Sequence, residues 1–356
     1  MINIALIGCG RIAKRHSDLL GTGTIQGARL AAVCDSVPEK ARAIGEKYNI
    51  PWFTSIDTML SSNIDINAAS VLSESGLHAE HAIKVASYGV HVIVEKPMAL
   101  TLTDADKMIL ACDKNNVKLF VVKQNRFNIP VIQLRKALEA GRFGKLVLGT
   151  IRVRWCRPQG YYDQDSWRGT WALDGGVLTN QASHHIDLLE WMMGDVESVF
   201  ARSTTALVNI EAEDTAVATL KFQNGAIGII EATTATRPKD LEGSISVLGE
   251  KGSVEIGGFA VNEMKVWQFT EPEPEDADVM KKYSVNPPNV YGFGHQAYYE
   301  HVIDCLENNS AQLVDGIEGR KSLELISALY ESIETGKEVF LRFNPKKCRL
   351  GVRNEK

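Results

Sequence analysis

Two glycines one residue apart, set between an apolar run and a helix, constrain the fold of this chain more than any other feature. Ile4-Ala5-Leu6-Ile7 leads into Gly8-Cys9-Gly10-Arg11-Ile12-Ala13, and residues 12–20 then read as helix. An uninterrupted apolar run of this length predicts a strand covered on both faces. In such a strand–turn–helix the first glycine makes the tight turn and the second lets a pyrophosphate approach the backbone. Ala13 permits close helix–strand packing, and the helix start at Arg11 and Ile12 faces the phosphates. A second strand over 30–34 ends in Asp35. A carboxylate there accepts from both adenosine ribose hydroxyls and repels a 2′-phosphate. Ser36 beside it is not basic, so the expected cofactor is NAD rather than NADP. Arg11 either touches the pyrophosphate or is a solvated cation at a helix start.

Strand and helix go on alternating. Residues 38–48 read as helix, 66–72 as strand, 79–88 as helix, 90–94 as strand, 103–115 as helix and 118–122 as strand. Alternation of this kind means right-handed parallel crossovers, hence a doubly wound Rossmann sheet with ligands beyond the carboxyl ends of its strands. Ser73, Glu74 and, a little further on, His78 follow one strand end, His78 being either a ligand contact or an ordinary helix-start residue. Glu95-Lys96-Pro97 follows the next. A lysine at a buried strand tip needs a carboxylate or a ligand oxygen, and Pro97 stops the ladder and fixes where the ammonium points. The alternative is a simple strand-end ion pair.

At 356 residues the length suggests about two domains. The boundary is expected at Gln124-Asn125-Arg126-Phe127-Asn128, giving a nucleotide-binding unit over 1–123 and a second unit over 124–356. In the second, strands are expected at 145–155, 199–205, 215–222, 226–235, 244–248, 253–256 and 264–269, with Asn224-Gly225 as a hairpin signal. Consecutive hairpins make a large, mostly antiparallel open sheet, which needs cover on one face. Helices over 177–192, 297–307 and 322–333 are expected to supply it. Ile227, Ile229 and Val247 make the other face apolar, which suggests a homo-oligomer, a dimer or tetramer formed through the open sheet.

Residues 170–192 hold a further candidate constellation. A glycine pair, Gly175-Gly176, opens what reads as one helix up to Gly194, on which Asn180 and His184 stand four apart and Asp187 a further turn along. An imidazole with an amide and a carboxylate as helical neighbours can be held in one tautomer and aimed at a hydroxyl. His184-His185-Asp187 does not read as a metal site, because adjacent helical side chains diverge by about 100°. The preceding loop carries Arg157, Tyr161, Trp167 and Arg168, suited either to an anionic sugar ligand or to a subunit contact. Arg237 is a further candidate for an anionic group.

Hydrophobic residues are 44% and charged residues 23%, and the net charge is −5. That balance fits a folded globular protein and shows no electrostatic footprint for nucleic acid or an anionic membrane. No apolar span approaches the roughly 20 residues a membrane helix needs, and Met1-Ile2-Asn3 enters a strand without a basic leader. Six scattered cysteines without a CxxC pair read as reduced thiols in the cytoplasm.

Taken together, Gly8-Cys9-Gly10-Arg11-Ile12-Ala13, Val94-Glu95-Lys96-Pro97-Met98-Ala99 and the segment with Asn180, His184 and Asp187 resemble the Gfo/Idh/MocA family of sugar and inositol dehydrogenases. The resemblance implies a Rossmann domain followed by an open-sheet α/β domain. It implies a cofactor set of Gly8, Gly10, Arg11, Ile12, Asp35, Ser73, His78, Glu95, Lys96, Gln124, Trp167 and Arg168. The implied substrate set is Lys96, Arg157, Tyr161, Asn180, His184 and Arg237. His184 is then the general base, with Lys96 on the same hydroxyl, Asn180 positioning the sugar and Asp187 orienting the imidazole. Lys96 with a depressed pKa is the competing base. One departure stands out: the family often has Asp where this chain has Asn180.

The loop before the constellation, Gln124 to Asn128 and Gly292-Phe293-Gly294-His295-Gln296 look most like one branch. That branch oxidises the 3′-hydroxyl of UDP-N-acetylglucosaminuronic acid on the way to 2,3-diamino sugars of surface polysaccharide. Part of it re-oxidises bound NADH in place with a 2-oxoacid, 2-oxoglutarate being the expected partner. A free-sugar or inositol dehydrogenase, or a non-catalytic NAD-binding regulator, are the other readings.

Overall fold

The computed structural model describes residues 1–284 and 294–341. Six strands form the first sheet: β1 (Ile2–Ile7), β2 (Ala28–Cys34), β3 (Trp52–Phe53), β4 (Ala68–Val71), β5 (His91–Val94) and β6 (Leu119–Val121). Their order is β3-β2-β1-β4-β5-β6, all parallel. The order reverses between β1 and β4, so the crevice for a ligand opens at their carboxyl ends, where Gly8 and Ser73 lie. Helices His78–Ser87 and Leu102–Lys114 cover one face through Ala82, Val85 and Met108. Arg11–Gly21 and Pro38–Tyr48 cover the other face beneath β1 and β2.

Both crossovers around β5 lie on one side, which would leave Ile93 and Phe120 bare on the opposite face. The helix Gly294–Glu307 fills that gap with Tyr298, Tyr299, Val302 and Ile303. It therefore covers the first sheet, not the second as expected from its place in the sequence.

The second sheet comprises β7 (Leu146–Arg154), β8 (Val196–Thr204), β9 (Thr215–Phe222), β10 (Ile227–Thr233), β11 (Glu242–Gly249), β12 (Gly252–Gly257), β13 (Glu263–Phe269) and β14 (Val339–Phe340). Its order is β13-β12-β11-β7-β10-β9-β8-β14, antiparallel apart from the β7–β10 pair. Helices Ser183–Met193 and Gly316–Thr335 pack on its inner face through Ile186, Leu189, Leu325 and Leu329. On the outer face Ile227 is 54% and Ile229 39% exposed, but Val247 is 0% exposed. Strand alternation on β11 places Val247 in the core and turns Leu248 outward, one position off the expected parity. Among the described residues no helix is long and apolar enough to cross a membrane.

Candidate active site

The glycine loop is shaped as its residues require. Gly8 has φ +95°, and a Cβ there would stand 2.7 Å from the backbone of Leu72 and Ser73 at the end of β4. Gly10 precedes the helix Arg11–Gly21, and a Cβ on it would meet nothing within 4 Å. That space lies at a helix start whose first turn carries no acidic residue, so its N–H groups are available to an anion. Asp35 closes the cradle: Oδ2 accepts from the Cys9 amide at 2.7 Å and Oδ1 from the Val37 amide at 2.8 Å. Each oxygen keeps lone-pair capacity for a ribose hydroxyl. These residues fit a dinucleotide. Asp35→Ser is expected to lower kcat/KM for NAD by about 10–100-fold, the worth of charge-assisted hydrogen bonds, and to narrow the preference over NADP. Steady-state kinetics with both dinucleotides checks this.

Three residues expected to face the cofactor also hold hydrogen bonds within the scaffold. His78 is buried between the carbonyls of Pro97 (Nδ1, 2.7 Å) and Ser73 (Nε2, 2.9 Å), so it staples two strand-end loops together. Ser73 uses its hydroxyl on His81 at 2.8 Å. Glu95 is buried with Oε1 3.0 Å from His16 Nε2 and 3.7 Å from His295 Nε2. Burial pushes its carboxyl up, but the two imidazoles outweigh this and hold it well below the usual range. Its Oε2 accepts from the Lys96 amide at 3.0 Å, so Glu95 anchors the lysine's backbone. Short-range sequence could not show this, because His16 and His295 come from helices far apart in the chain.

Lys96 follows β5 and crosses to the second unit. Its Nζ donates to the Asn180 backbone carbonyl at 2.9 Å and to Asn180 Oδ1 at 3.3 Å. Burial lowers the Lys96 pKa, opposed by the negative charges of Glu95 and Asp174. Asn180 is not on the helix, which begins only at Ser183, so Asn180 and His184 do not share a helical face. Residues 177–182 form turns instead: the Asn180 amide donates to the Gly176 carbonyl at 3.0 Å and the Ala182 amide to the Val177 carbonyl at 2.8 Å, while Glu213 accepts from Val177 (carbonyl, 3.0 Å) and Leu178 (Oε1, 2.9 Å).

His184 lies in the first turn of that helix, and its Nε2 is 2.9 Å from the Gln124 side-chain nitrogen. Burial, aided by the Lys96 and Lys123 ammoniums, holds its imidazole well below the ordinary histidine range, so it is neutral at pH 7. Asp187 does not orient it. The carboxylate is held bidentately by Arg126 (Nε and Nη2, both 2.8 Å), with Lys123 at 3.5 Å. Burial pushes the Asp187 carboxyl up, but Arg126 and Lys123 carry it down to about 2. With an unfolded value of about 3.9, a folded pKa near 2 contributes stability above pH 4 that is lost as pH falls through 2, on the order of 2–3 kcal/mol. Asp187→Ala takes the nearest carboxylate from buried Lys123 and leaves Arg126 with Glu318 alone, at 3.0 Å, and is expected to cost about 3–5 kcal/mol at pH 7 by urea unfolding, with a smaller gap to the parent at pH 3. His185 packs edge-on against Trp155, ring centroids 5.8 Å apart.

The aromatic loop returns to the nucleotide cradle. Arg11 donates to Gln164 and lies over the Tyr161 ring at 5.4 Å. Arg168 donates to the Tyr161 hydroxyl and to Asp165, both at 2.9 Å, with its guanidinium over Trp167 at 4.5 Å. Arg157 is paired with Asp240 at 2.9 Å. Arg237 donates to the carbonyls of Thr234 and Thr236. Of the Gly292 to Gln296 motif, Gly292 and Phe293 lie outside the described residues. Lys123, Asp174 and Glu213 are buried charged groups around the site that the sequence did not single out. Lys123 directly after an apolar strand and Asp174 directly before a glycine pair were the available signals.

Known proteins agree with this architecture. Residues 2–123 match the description "Oxidoreductase family, NAD-binding Rossmann fold" and residues 135–341 "Oxidoreductase family, C-terminal alpha/beta domain" of the Gfo/Idh/MocA group. The structure of the WlbA dehydrogenase from Bordetella pertussis, in complex with NADH and UDP-GlcNAcA, is 45% identical. Its TM-score is 0.92, covering 96% of this chain and 98% of that one. The WlbA dehydrogenase from Chromobacterium violaceum, with the same two ligands, is 43% identical with a TM-score of 0.90, covering 97% of each. Myo-inositol 2-dehydrogenase of Thermotoga maritima is 29% identical over 96% of this chain and 98% of its own length. The chain belongs to the Gfo/Idh/MocA oxidoreductase family, with an NAD-binding Rossmann domain as its first unit.

Proposed function

We propose that this dehydrogenase oxidises the 3′-hydroxyl of UDP-N-acetylglucosaminuronic acid to the 3-keto sugar, for 2,3-diamino sugar formation in surface polysaccharide. One observation carries the reading. The Lys96 ammonium, from the nucleotide-binding unit, docks on Asn180 four residues before His184, at the carboxyl end of the first sheet. The substrate class rests on the two WlbA dehydrogenases, 45% and 43% identical over nearly the whole chain, which bind UDP-GlcNAcA. Arg237 pairs with no carboxylate among the described residues and suits an anionic sugar; it also reaches the Arg157 carbonyl at 3.4 Å.

In this reading NAD, when bound, accepts the hydride from the sugar C3. His184 takes the hydroxyl proton at Nε2, the nitrogen that now receives the Gln124 amide. Lys96 donates to the same oxygen and stabilises its developing negative charge. Gly8, Gly10, Arg11, Ile12 and Asp35 bind the dinucleotide, with Gln124, Trp167 and Arg168 bordering it. We assign residues 1–123 to the nucleotide unit and 124–356 to the substrate unit. We further propose a cytoplasmic homo-oligomer formed through the apolar outer face of the second sheet, with 2-oxoglutarate as re-oxidant of bound NADH. Mixing protein and NAD with UDP-GlcNAcA, UDP-GlcNAc or myo-inositol, with and without 2-oxoglutarate, tests the reading. Reduced nicotinamide absorbance is expected with the uronate alone. Reduction by inositol and not by the uronate contradicts it.

A further inference from the structure

Asp174 is a buried carboxylate, 2% exposed, that the reaction as described does not use. Its Oδ2 accepts from the Gly169 amide at 2.8 Å, and its own amide donates to the Thr170 carbonyl at 3.1 Å, so the side chain is held in a tight turn. Its Oδ1 accepts from Asn180 Nδ2. On the far side of that amide, Asn180 Oδ1 faces Lys96 Nζ at 3.3 Å. An amide can present either its oxygen or its NH₂ to a neighbour, and nothing in Asn180 itself decides which. An ionised carboxylate only accepts, so it claims the NH₂ and leaves the oxygen for the ammonium.

We propose that Asp174 is a positioning residue for this oxidation, acting through Asn180 to fix which atom Lys96 meets. An ammonium has three N–H donors. Asn180 takes two of them, through its backbone and side-chain oxygens. The direction of the third is thereby set, and it is the one left for the substrate oxygen. Asp174 also places a negative charge one amide away from Lys96, where it supports the charged form against burial. Besides Asp174, the groups acting on Lys96 are Glu95 on its own segment, Lys123 at the end of β6 and Arg168 in the aromatic loop; His184 feels the ammonium from the helix. Asp174 itself faces Lys96, Arg168, Tyr162 and Glu213.

The inference rests on the substrate reading above for its kinetic arm alone. Asp174→Asn is isosteric, removes the charge and frees both amides to flip. It is expected to lower kcat/KM for UDP-GlcNAcA by about 10–100-fold, the worth of a hydrogen-bonded charge. Asn180→Asp alone sets two carboxylates against each other in a buried site and is expected to lose activity too. The double variant puts one carboxylate back, directly beside Lys96, and is expected to recover to within about threefold of the parent, a reciprocal rescue that a merely structural residue would not show.

A second readout needs no substrate. The pH dependence of Lys96 acylation, followed by mass spectrometry of the peptide that holds residue 96 after labelling of the folded protein, shifts to lower pH in Asp174→Asn and returns in the double variant. An Asp174→Asn protein with unchanged acylation curve, or a double variant no better than the single, overturns the proposal. If the parent does not turn over UDP-GlcNAcA, the substrate reading fails while the acylation curves still decide the role of Asp174.

Discussion

Replacing Lys96 with methionine is expected to reduce kcat/KM for UDP-GlcNAcA by about 10²–10³-fold, the cost of losing a preorganised donor to a developing oxyanion. Methionine keeps an unbranched side chain of similar reach and removes only the ammonium. The fold should tolerate it, because Glu95 remains paired with His16 and still accepts from the backbone amide of residue 96. NAD affinity is expected to fall far less than turnover, since Lys96 is one of several cofactor contacts and Asp35 and the glycine loop are untouched. Isothermal titration with NAD, beside steady-state kinetics, separates the two effects. A variant that retained turnover within threefold would show that the lysine only ties the two units together.

His184→Ala carries the other large expected effect, a fall of about 10²–10⁴-fold in kcat, the usual span for a general base. The pH profile distinguishes the two possible bases. A base must be neutral to act. His184 is held well below its ordinary range by burial and by Lys96 and Lys123, so it is neutral through pH 7 and charges only as pH falls well under about 6.5. The parent is therefore expected to show a plateau across neutral pH and an acid limb that disappears in His184→Ala. If Lys96 were the base, activity would rise toward alkaline pH through its own pKa, and His184→Ala would keep that rise.

Strands β1, β2, β4, β5 and β6 of the first sheet were legible because each is an apolar run and helices lie between them, so residues as distant as Ile4 and Phe120 report the same architecture. Two-residue strands such as Trp52–Phe53 and Val339–Phe340 left no pattern of their own and exist only through neighbours that pair with them. The late start of the helix at Ser183 was hidden for a different reason. The turns before it are fastened to Glu213, more than 30 residues on, which accepts from the amides of Val177 and Leu178, a contact that local propensity does not record. Lys96, His184 and Asp35 stand out as candidates because their chemistry is visible at motif level. Glu95, His78 and Asp187 have the same residue types, yet their charges and ring nitrogens are spent on His16, Pro97 and Arg126, partners supplied only by the folded chain. Asp174 shows the converse, a residue without a motif whose position became evident once Asn180 was seen to bridge it to Lys96.

A crystal structure of the protein with NADH and UDP-N-acetylglucosaminuronic acid tests the central claim most directly. The sugar's O3 is expected within hydrogen-bonding distance of both Lys96 Nζ and His184 Nε2, with Gln124 displaced from the imidazole and C3 facing the nicotinamide ring. A sugar bound with O3 beyond reach of either side chain, or with another carbon toward the ring, would contradict the account.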